Sequence, residues 1–583
     1  MDRKTIIVII VSFALLFGSR YIVDKIYPPI PRVVSTNAVA AAANTPAAQS
    51  SASNAPGEFA SPVVSMPAPT VAEQSLTISN QDIVLNFSSY GGGIKSVDLL
   101  HYLAATRQKP GQAASTNLAT LDGRGYVPIL ALLGGASIEG DHQFTLTHSG
   151  QTVRAEKTLT NGLRIVKEFK LGSNYLFDAS IKIENAGSTP LGLPSQSVVV
   201  GTANGLGPNE DQTVVGSLWY DGRKLQTVQQ SWFDNRTMGC FPGTPRQHYT
   251  GGADNVVWTA VHSQFFALAV IPETNAPQVT VDHVLLPSLS PTDTATMTNG
   301  FQTALAYPSI VLEPGKSITR SYTIYAGPKE YNRLAQISQK MNNNLDQLMN
   351  FGFFGFFSKL LLLSMNGIHA LGIKYGLSII IITIIIKTLF WPLTTASTRS
   401  MKRMQALQPQ LKAINDKYKD DPTKRNQKTM ELWKAHKVNP ASGCIPIVLQ
   451  IPVFIGFYYM LRSAIELRGE SFLWAADLSR PDTIAFLGTF PVNLLPLLMA
   501  ATTIWQSSLT PASPGMDPNQ QKIMKWGLPL MMLFILYNMS AGLTLYWTVQ
   551  NLMTVLQTKL TKTQDDALTP GARPVPAAPQ KKK

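Results

Sequence analysis

LSIIIITIIIKTLFWPL, residues 377–393, decides how the rest of this 583-residue chain is read. Between Ile379 and Phe390 only Thr383, Lys387 and Thr388 interrupt the apolar run, and with its flanks the segment can cross a bilayer. Thr383 and Lys387 are four residues apart and so share one helical face. A lysine at mid-membrane costs roughly 2.5–3.5 kcal/mol on insertion scales, so such a residue normally faces water, protein or a ligand. The bland alternative is a stem that snorkels to the headgroups and does nothing. The sequence leaves both open.

Downstream, residues 394–443 carry eleven Lys/Arg against four acids. Met401, Met404, Leu407 or Gln408, Leu411, Ile414 and Tyr418 recur at three-to-four spacing, the apolar face of a helix. Asp421-Pro422 caps a second helix, which runs through Met430 and Trp433 to Val438 and stops before Asn439-Pro440. The pair is predicted to be a helical hairpin outside the membrane, and its charge places it in the cytoplasm. A solvated face accounts for most of these lysines; a minority would meet anionic headgroups or ribosomal RNA.

Further spans are predicted at 444–464, which holds Pro446, Gln450 and Pro452, and at 484–506. Residues 507–525 read as a polar cytoplasmic loop. The last apolar stretch, Trp526 to Leu560, is nearly twice what one span needs. Asn538-Met539-Ser540-Ala541-Gly542 is a turn signal at its middle, and both its ends are basic. Two short spans, 526–538 and 541–560, satisfy both facts. Residues 561–583, rich in Pro and Ala and ending in three lysines, read as a basic disordered tail.

Upstream of the opening span, residues 328–372 hold a helix from Lys329 to Met341 and then FGFFGFFSKLLLLSMNGIHAL, 351–371. Were the latter a span, the basic hairpin would lie outside. An amphipathic helix in the interface, with Lys359 on its wet side, avoids that conflict and leaves 373–393 as the second span. Residues 73–327 have a β texture. Leu163-Arg164-Ile165, Phe169-Lys170-Leu171 and Phe177 to Ile183 alternate apolar and polar, and Gly91-Gly92-Gly93, Asn161-Gly162 and Asn185-Ala186-Gly187 punctuate them. A large β-sandwich follows. Its histidines (101, 142, 148, 248, 262 and 283) lack metal-ligand spacing. Residues 24–72, rich in Ala, Pro and Ser, form a flexible linker. Residues 1–23 combine Arg3 and Lys4 with an apolar run. The nearest Ala-x-Ala triplet, 38–40, is too distant for ordinary cleavage, so an uncleaved anchor with a cytoplasmic N-terminus is predicted over a signal peptide.

The totals agree. Hydrophobic residues are 45% and charged ones only 14%, low for a soluble protein. The net charge of +14 would suit nucleic acid, but its concentration in loops on one side argues for basic cytoplasmic segments and against DNA. The two cysteines, Cys240 and Cys444, fall on opposite sides of the membrane on this topology, which excludes a disulfide. The predicted fold class is thus a multidomain membrane protein. It has an α-helical six-span part (anchor plus five-helix core), both termini inside, a large extracytoplasmic β-domain and a cytoplasmic helical hairpin.

Lys387 and Gln450 each lie six or seven residues from the cytoplasmic end of their spans, a common depth of roughly 10 Å. The final span adds Tyr546, Trp547, Gln550 and Asn551. Polar groups on several short helices, at most one of them charged, suggest a wet pocket open to the cytoplasm, where a cation would attract acidic residues that must cross. No phosphate loop, metal cluster or nucleophile paired with a base is present, so neither an enzyme nor a cofactor or metal is expected.

LSIIIITIIIKTLFWPLTTA (377–396), KVNPASGCIPIVLQIPVFIGFYYML (437–461), MDPNQQKIMKW (516–526) and SAGLTLYWTVQNLMTVLQ (540–557) carry a resemblance. In order, through residues 370–560, they resemble the core of the YidC/Oxa/Alb membrane-protein insertases, and the anchor, linker and β-domain resemble the Gram-negative bacterial branch. The resemblance implies insertion and assisted folding of inner-membrane proteins, alone or beside the Sec translocon, through a hydrophilic groove open to cytoplasm and lipid. It implies a periplasmic β-super-sandwich like that of sugar mutarotases, without their activity. Its implied partners are nascent membrane proteins, the translocon, membrane lipids, and the ribosome or targeting factors at the basic hairpin and tail. Groove positions fall on Lys387, Thr383, Gln450, Tyr546 and Trp547, to which the residue pattern adds Asn551. Two depart from the commonest pattern, in which the cation is Arg and the aromatic pair Tyr-Tyr; Lys keeps the charge but not the bidentate fork. A polytopic transporter or channel is the alternative, but repeated halves and several intramembrane charges are missing. An anchored mutarotase-like protein would need an acid/base pair in the β-domain.

Overall fold

Alternation at period two becomes strand, with one face turned inward. Along Leu163–Leu171, residues 163, 165, 167, 169 and 171 are buried; along Leu176–Asn185, Phe177, Ala179, Ile181 and Ile183 are. The turn before the first strand is made by Asn161, whose Oδ1 accepts from the Leu163 N–H at 3.0 Å, and by Gly162 at φ +85°, where a Cβ would meet Gly187 backbone at 3.0 Å.

The computed structural model describes residues 66, 71–106, 116–207, 210–235, 243–288, 297–436, 438, 445–509 and 523–561. The predicted anchor, nearly all of the linker, Cys240 and Cys444, most of the 507–525 loop and the tail beyond 561 lie outside the described residues. Two compact units are described: one drawn from the described residues between 66 and 355 together with 459–480, the other from 356–458 and the described residues from 481 onward.

In the first unit a nine-stranded antiparallel sheet runs, in spatial order, Leu225–Gln229, Gly216–Tyr220, Trp258–His262, Phe266–Pro272, Ser317–Pro328, Leu176–Asn185, Leu163–Leu171, Thr152–Thr158, Thr145–Ser149. A five-stranded sheet, His248–Gly251, Gln278–Pro287, Met297–Tyr307, Gln196–Ala203 and Leu132–Leu133, packs against it. A four-stranded sheet from Ser75 to Leu121 and a two-stranded pair, Leu191–Leu193 with Ile310–Leu312, are the other sheets of this unit. The sandwich core holds Trp258, Phe266, Leu218, Val279 and Leu305, all at most 1% exposed, each worth roughly 1.5–3 kcal/mol of burial. Helix α1, Tyr331–Met341, closes this unit, and the carbonyl of Asn343 just beyond it accepts from the Trp258 indole at 2.9 Å.

Residues 459–480 belong to this unit through arginines. The Arg462 guanidinium bonds Asp211 (Nε to Oδ2, 2.8 Å) and Thr213, while Gln264 donates to the Arg462 carbonyl at 2.9 Å. Arg468 donates to the Leu103 carbonyl at 2.6 Å and lies over the rings of Phe265 and Phe266. Thr106 donates to Asp477, which also pairs with Arg480.

The second unit is helical: α2 (Gly355–His369), α3 (Tyr375–Ala406), α4 (Gln408–Lys417), α5 (Pro422–Ala435), α6 (Ile445–Ser463, its last turn in the first unit), α7 (Leu494–Leu509), α8 (Leu528–Leu536) and α9 (Ala541–Leu560). Among the described residues, Tyr375–Met401 is long and apolar enough to cross a membrane by length and composition; α7 and 525–536 are shorter apolar helices. Helix α9 packs on α3 and α7, α8 packs on α7, and α4 packs on α5. Asp421 caps α5, its side chain accepting from the Lys424 N–H at 3.0 Å with Pro422 in the first turn.

Three elements differ from the sequence reading. Helix α3 does not end at Leu393 but runs on through Pro392 to Ala406 and is joined to α4 by the single residue Leu407; the Thr394 and Thr398 hydroxyls donate to carbonyls one turn back, and Thr394, Ser397 and Met404 keep one face buried. The span expected from Ile484 begins instead as a hairpin, Thr483–Leu487 with Phe490–Asn493, and helix starts only at Leu494. Gly488 at φ +64° makes the turn, and the Asp482 carboxylate receives the Leu495 N–H at 2.6 Å, fixing where α7 starts. The predicted 526–538 span is a π turn, Ile523–Gly527, leading into the nine residues of α8.

Candidate substrate groove

Helix α3 turns Ile379, Thr383, Lys387, Phe390 and Thr394 inward, while Ile384, Ile385 and Leu389 are exposed. Lys387 is 7% exposed although the apolar residues beside it are open, so its side chain lies on the protein side of the helix and not among the outward residues. The Thr383 hydroxyl is satisfied within α3, donating to the Ile379 carbonyl at 2.7 Å. Among the described residues Lys387 has no hydrogen-bond or ion-pair partner.

On α6 and α9 the polar groups meet. The Gln450 amide donates to the Tyr546 hydroxyl at 2.6 Å, and its Oε1 accepts from Gln550 at 2.7 Å. Tyr546 stacks on Phe457 with ring centres 4.1 Å apart, and Trp547 stands edge-on to Phe454 at 4.7 Å. Tyr546 and Gln550 are four apart and so present one face of α9 to α6. Gln450 thus sits in a chain of two hydrogen bonds beside an aromatic frame, a network in which Tyr546 is buried and the two glutamines are half-buried.

Asn551, predicted beside them, is turned about 100° away, as the helical period requires. It is 4% exposed and donates to Thr502 Oγ1 at 3.2 Å and Thr503 Oγ1 at 2.8 Å, on α7. Its contacts tie α9 to α7. Gln557 was missed by the sequence reading. It is 2% exposed, and its amide nitrogen lies within hydrogen-bond distance of the Trp391 carbonyl at 3.0 Å, Thr394 Oγ1 at 2.5 Å and Thr395 Oγ1 at 3.0 Å, its two N–H groups shared among the three acceptors. A glutamine near the end of an apolar run reads as its boundary, which hides it; the Thr394-Thr395 pair just after Pro392 is the only signal. Helix α9 is therefore a hub: Gln550 and Gln557, two turns apart on one face, reach α6 and α3, and Asn551, about 100° round, reaches α7.

A separate cleft of about 1690 Å³ opens on the β-rich unit. Glu168, Lys170, Asp178, Arg223 and Glu273 line it with both signs of charge, and no group of three or more metal-ligating side chains occurs among the described residues.

The description "YidC periplasmic domain" matches residues 75–363, and "60Kd inner membrane protein" matches 367–567. The membrane protein insertase YidC of Syntrophus aciditrophicus is 30% identical over 585 residues, spanning 96% of this chain and 98% of that protein. The chain belongs to the YidC insertase family. Insertase YidC of Pelobacter propionicus is likewise 30% identical, over 96% of this chain and 98% of its own, and that of Burkholderia multivorans is 29% identical over 89% and 90%. Among solved structures, an active YidC insertase with its first transmembrane domain resolved aligns with 84% of this chain and 92% of its own at 16% identity, TM-score 0.33. YidC from Thermotoga maritima aligns with 83% and 98% at 12% identity, TM-score 0.25. The YidC family is one of inner-membrane insertases with a periplasmic domain, not of enzymes.

Proposed function

We propose that this chain inserts nascent proteins into the inner membrane by lending their polar segments a place partway into the bilayer. The observation that carries the reading is Lys387, turned to the protein side of an apolar span in a member of the YidC family. Such a cation lowers the barrier for acidic segments bound for the far side. The Gln450–Tyr546–Gln550 chain supplies polar surface, Gln450 at about the depth of Lys387, and Thr383 lies one turn, about 6 Å, deeper on the same face. No energy source is needed, since the free energy comes from burying the substrate's apolar span in lipid, at roughly 25 cal/mol per Å².

The core helices also shorten the path. The 16 residues of α7 reach about 24 Å, and the five-residue π turn with α8 reaches about 20 Å, against a hydrocarbon core of about 30 Å. Helices this short thin the bilayer around them. Residues such as Leu530, Met531, Phe534 and Ile535, exposed on α8, offer it an apolar wall.

In this reading the N-terminal anchor and five core spans cross the membrane, with both termini and the basic α4–α5 hairpin in the cytoplasm. The hairpin meets the ribosome or a targeting factor, and the Sec translocon is a partner for larger substrates. The test is site-specific photocrosslinking from positions 450 and 546 during synthesis of a small membrane protein. Adducts to the nascent chain are expected at both; their absence, with crosslinks to lipid alone, would refute the groove.

A further inference from the structure

We propose that Gln557 is a positioning residue of the insertase: its amide latches α3 across the Pro392 break and so fixes the pose of Lys387 for acidic segments. This rests on the groove reading above. Pro392 has no N–H, so the Thr388 carbonyl one turn earlier loses its intrahelical donor. Both residues lie on the exposed side of α3. A helix interrupted there is free to hinge.

Opposite the break, on the buried side, Gln557 holds Trp391, one residue before the proline, and Thr394 and Thr395, two and three after it. One carboxamide therefore bridges both halves of the helix. The Thr394 hydroxyl spends its own proton on the Phe390 carbonyl at 2.9 Å, which leaves its lone pairs for the amide. An amide buried to 2% exposure is tolerated because those partners are present. Asn551 ties α9 to α7 in the same manner, but α7 carries none of the groove side chains.

What the latch controls follows from the covalent order. Lys387 lies one turn before Trp391, and beyond Pro392 the same helix runs to Ala406 and into the basic α4–α5 hairpin. A bend at the proline would swing the cation relative to that hairpin. With the latch closed, a load on the hairpin and the position of the cation are rigidly linked.

The test uses the full chain with Cys240 and Cys444 replaced by serine and spin labels at the exposed positions 374 and 412, on either side of the break. The parent is expected to give one narrow distance distribution. Gln557→Leu, and separately Thr394→Val with Thr395→Val, should each broaden it. In vesicles each should slow insertion of a substrate with an acidic extracytoplasmic segment about five- to tenfold, the range of one lost buried hydrogen bond, and leave an uncharged substrate within about twofold. Combining the two sets should do no more than either alone. Unchanged distances, equal losses for both substrates, or additive effects would overturn the proposal. The threonine pair approaches the contact from the other side, so misfolding of Gln557→Leu does not decide the outcome. If Lys387→Ala fails to separate the two substrates, the groove reading falls instead, and the distances alone decide the latch.

Discussion

Lys387 is legible in the sequence because a charge inside an apolar run has few explanations. In the structure its side chain faces the helix bundle and not the outward apolar row of Ile384, Ile385 and Leu389. Lys387→Ala should therefore reduce insertion of a substrate with an acidic translocated segment about tenfold, near 1.4 kcal/mol, and an uncharged one much less; Lys387→Arg should retain activity. Reconstituted vesicles measure both, and equal insertion by all three proteins would leave Lys387 without a role. The opposite case is Lys167. It lies on the inward row with Leu163, Ile165, Phe169 and Leu171, is fully buried, and donates to the carbonyls of Gly91 and Leu130 at 2.8 Å each. Burial pulls its ammonium down to about 7, and that of Lys329 likewise. The unfolded chain thus binds more protons than the folded one between about pH 7 and 10.5, so stability rises with pH across that window and the gain is lost as pH falls through 7. Thermal unfolding of the full chain, followed at the β-sheet circular dichroism band, should show stability higher at pH 9 than at pH 7 by on the order of 1–2 kcal/mol, and Lys167→Met should flatten the profile.

Helix starts were readable where a cap and a proline coincide, as at Asp421-Pro422. They were not readable where the cap comes from a distance. Asp482 lies 13 residues before the N–H it holds, with a hairpin between. Hydropathy cannot separate that hairpin from a helix, because Ile484, Phe486, Leu487 and Phe490 are as apolar as the span that follows. Asp482→Ala should weaken the start of α7 by about 1 kcal/mol, seen as faster amide hydrogen exchange at 494–498, while Asp482→Asn should retain most of the protection. Unchanged exchange in the alanine variant would remove the cap from the account. Pro392 is a similar case. A proline normally marks a helix boundary, yet α3 passes through it, and one side chain of α9, Gln557, bonds to both sides of the interruption.

For the whole molecule, deleting most of 76–325 should leave insertion largely intact, since every proposed groove residue lies between 383 and 551. Complete loss by a stably expressed deletion would contradict that. The structure adds a second consequence. Arg462, Arg468 and Arg480 are held by partners from the β-rich unit or by Asp477 within their own loop, so the deletion should leave 459–480 open to trypsin from the periplasmic side. Resistance equal to that of the full chain would show that the segment is ordered without the β-domain. The order of β-region, apolar helices and basic helical pair was legible in the sequence alone, because hydropathy period and charge act locally and need no partner. Which polar residue meets which was decided only by tertiary structure. Gln450 with Tyr546, Asn551 with Thr503, Gln557 with Thr394, and Arg462 with Asp211 are joined across 48 to 251 residues. Such pairings depend on helix rotation and packing, and a one-residue shift on a helix turns a side chain through 100°.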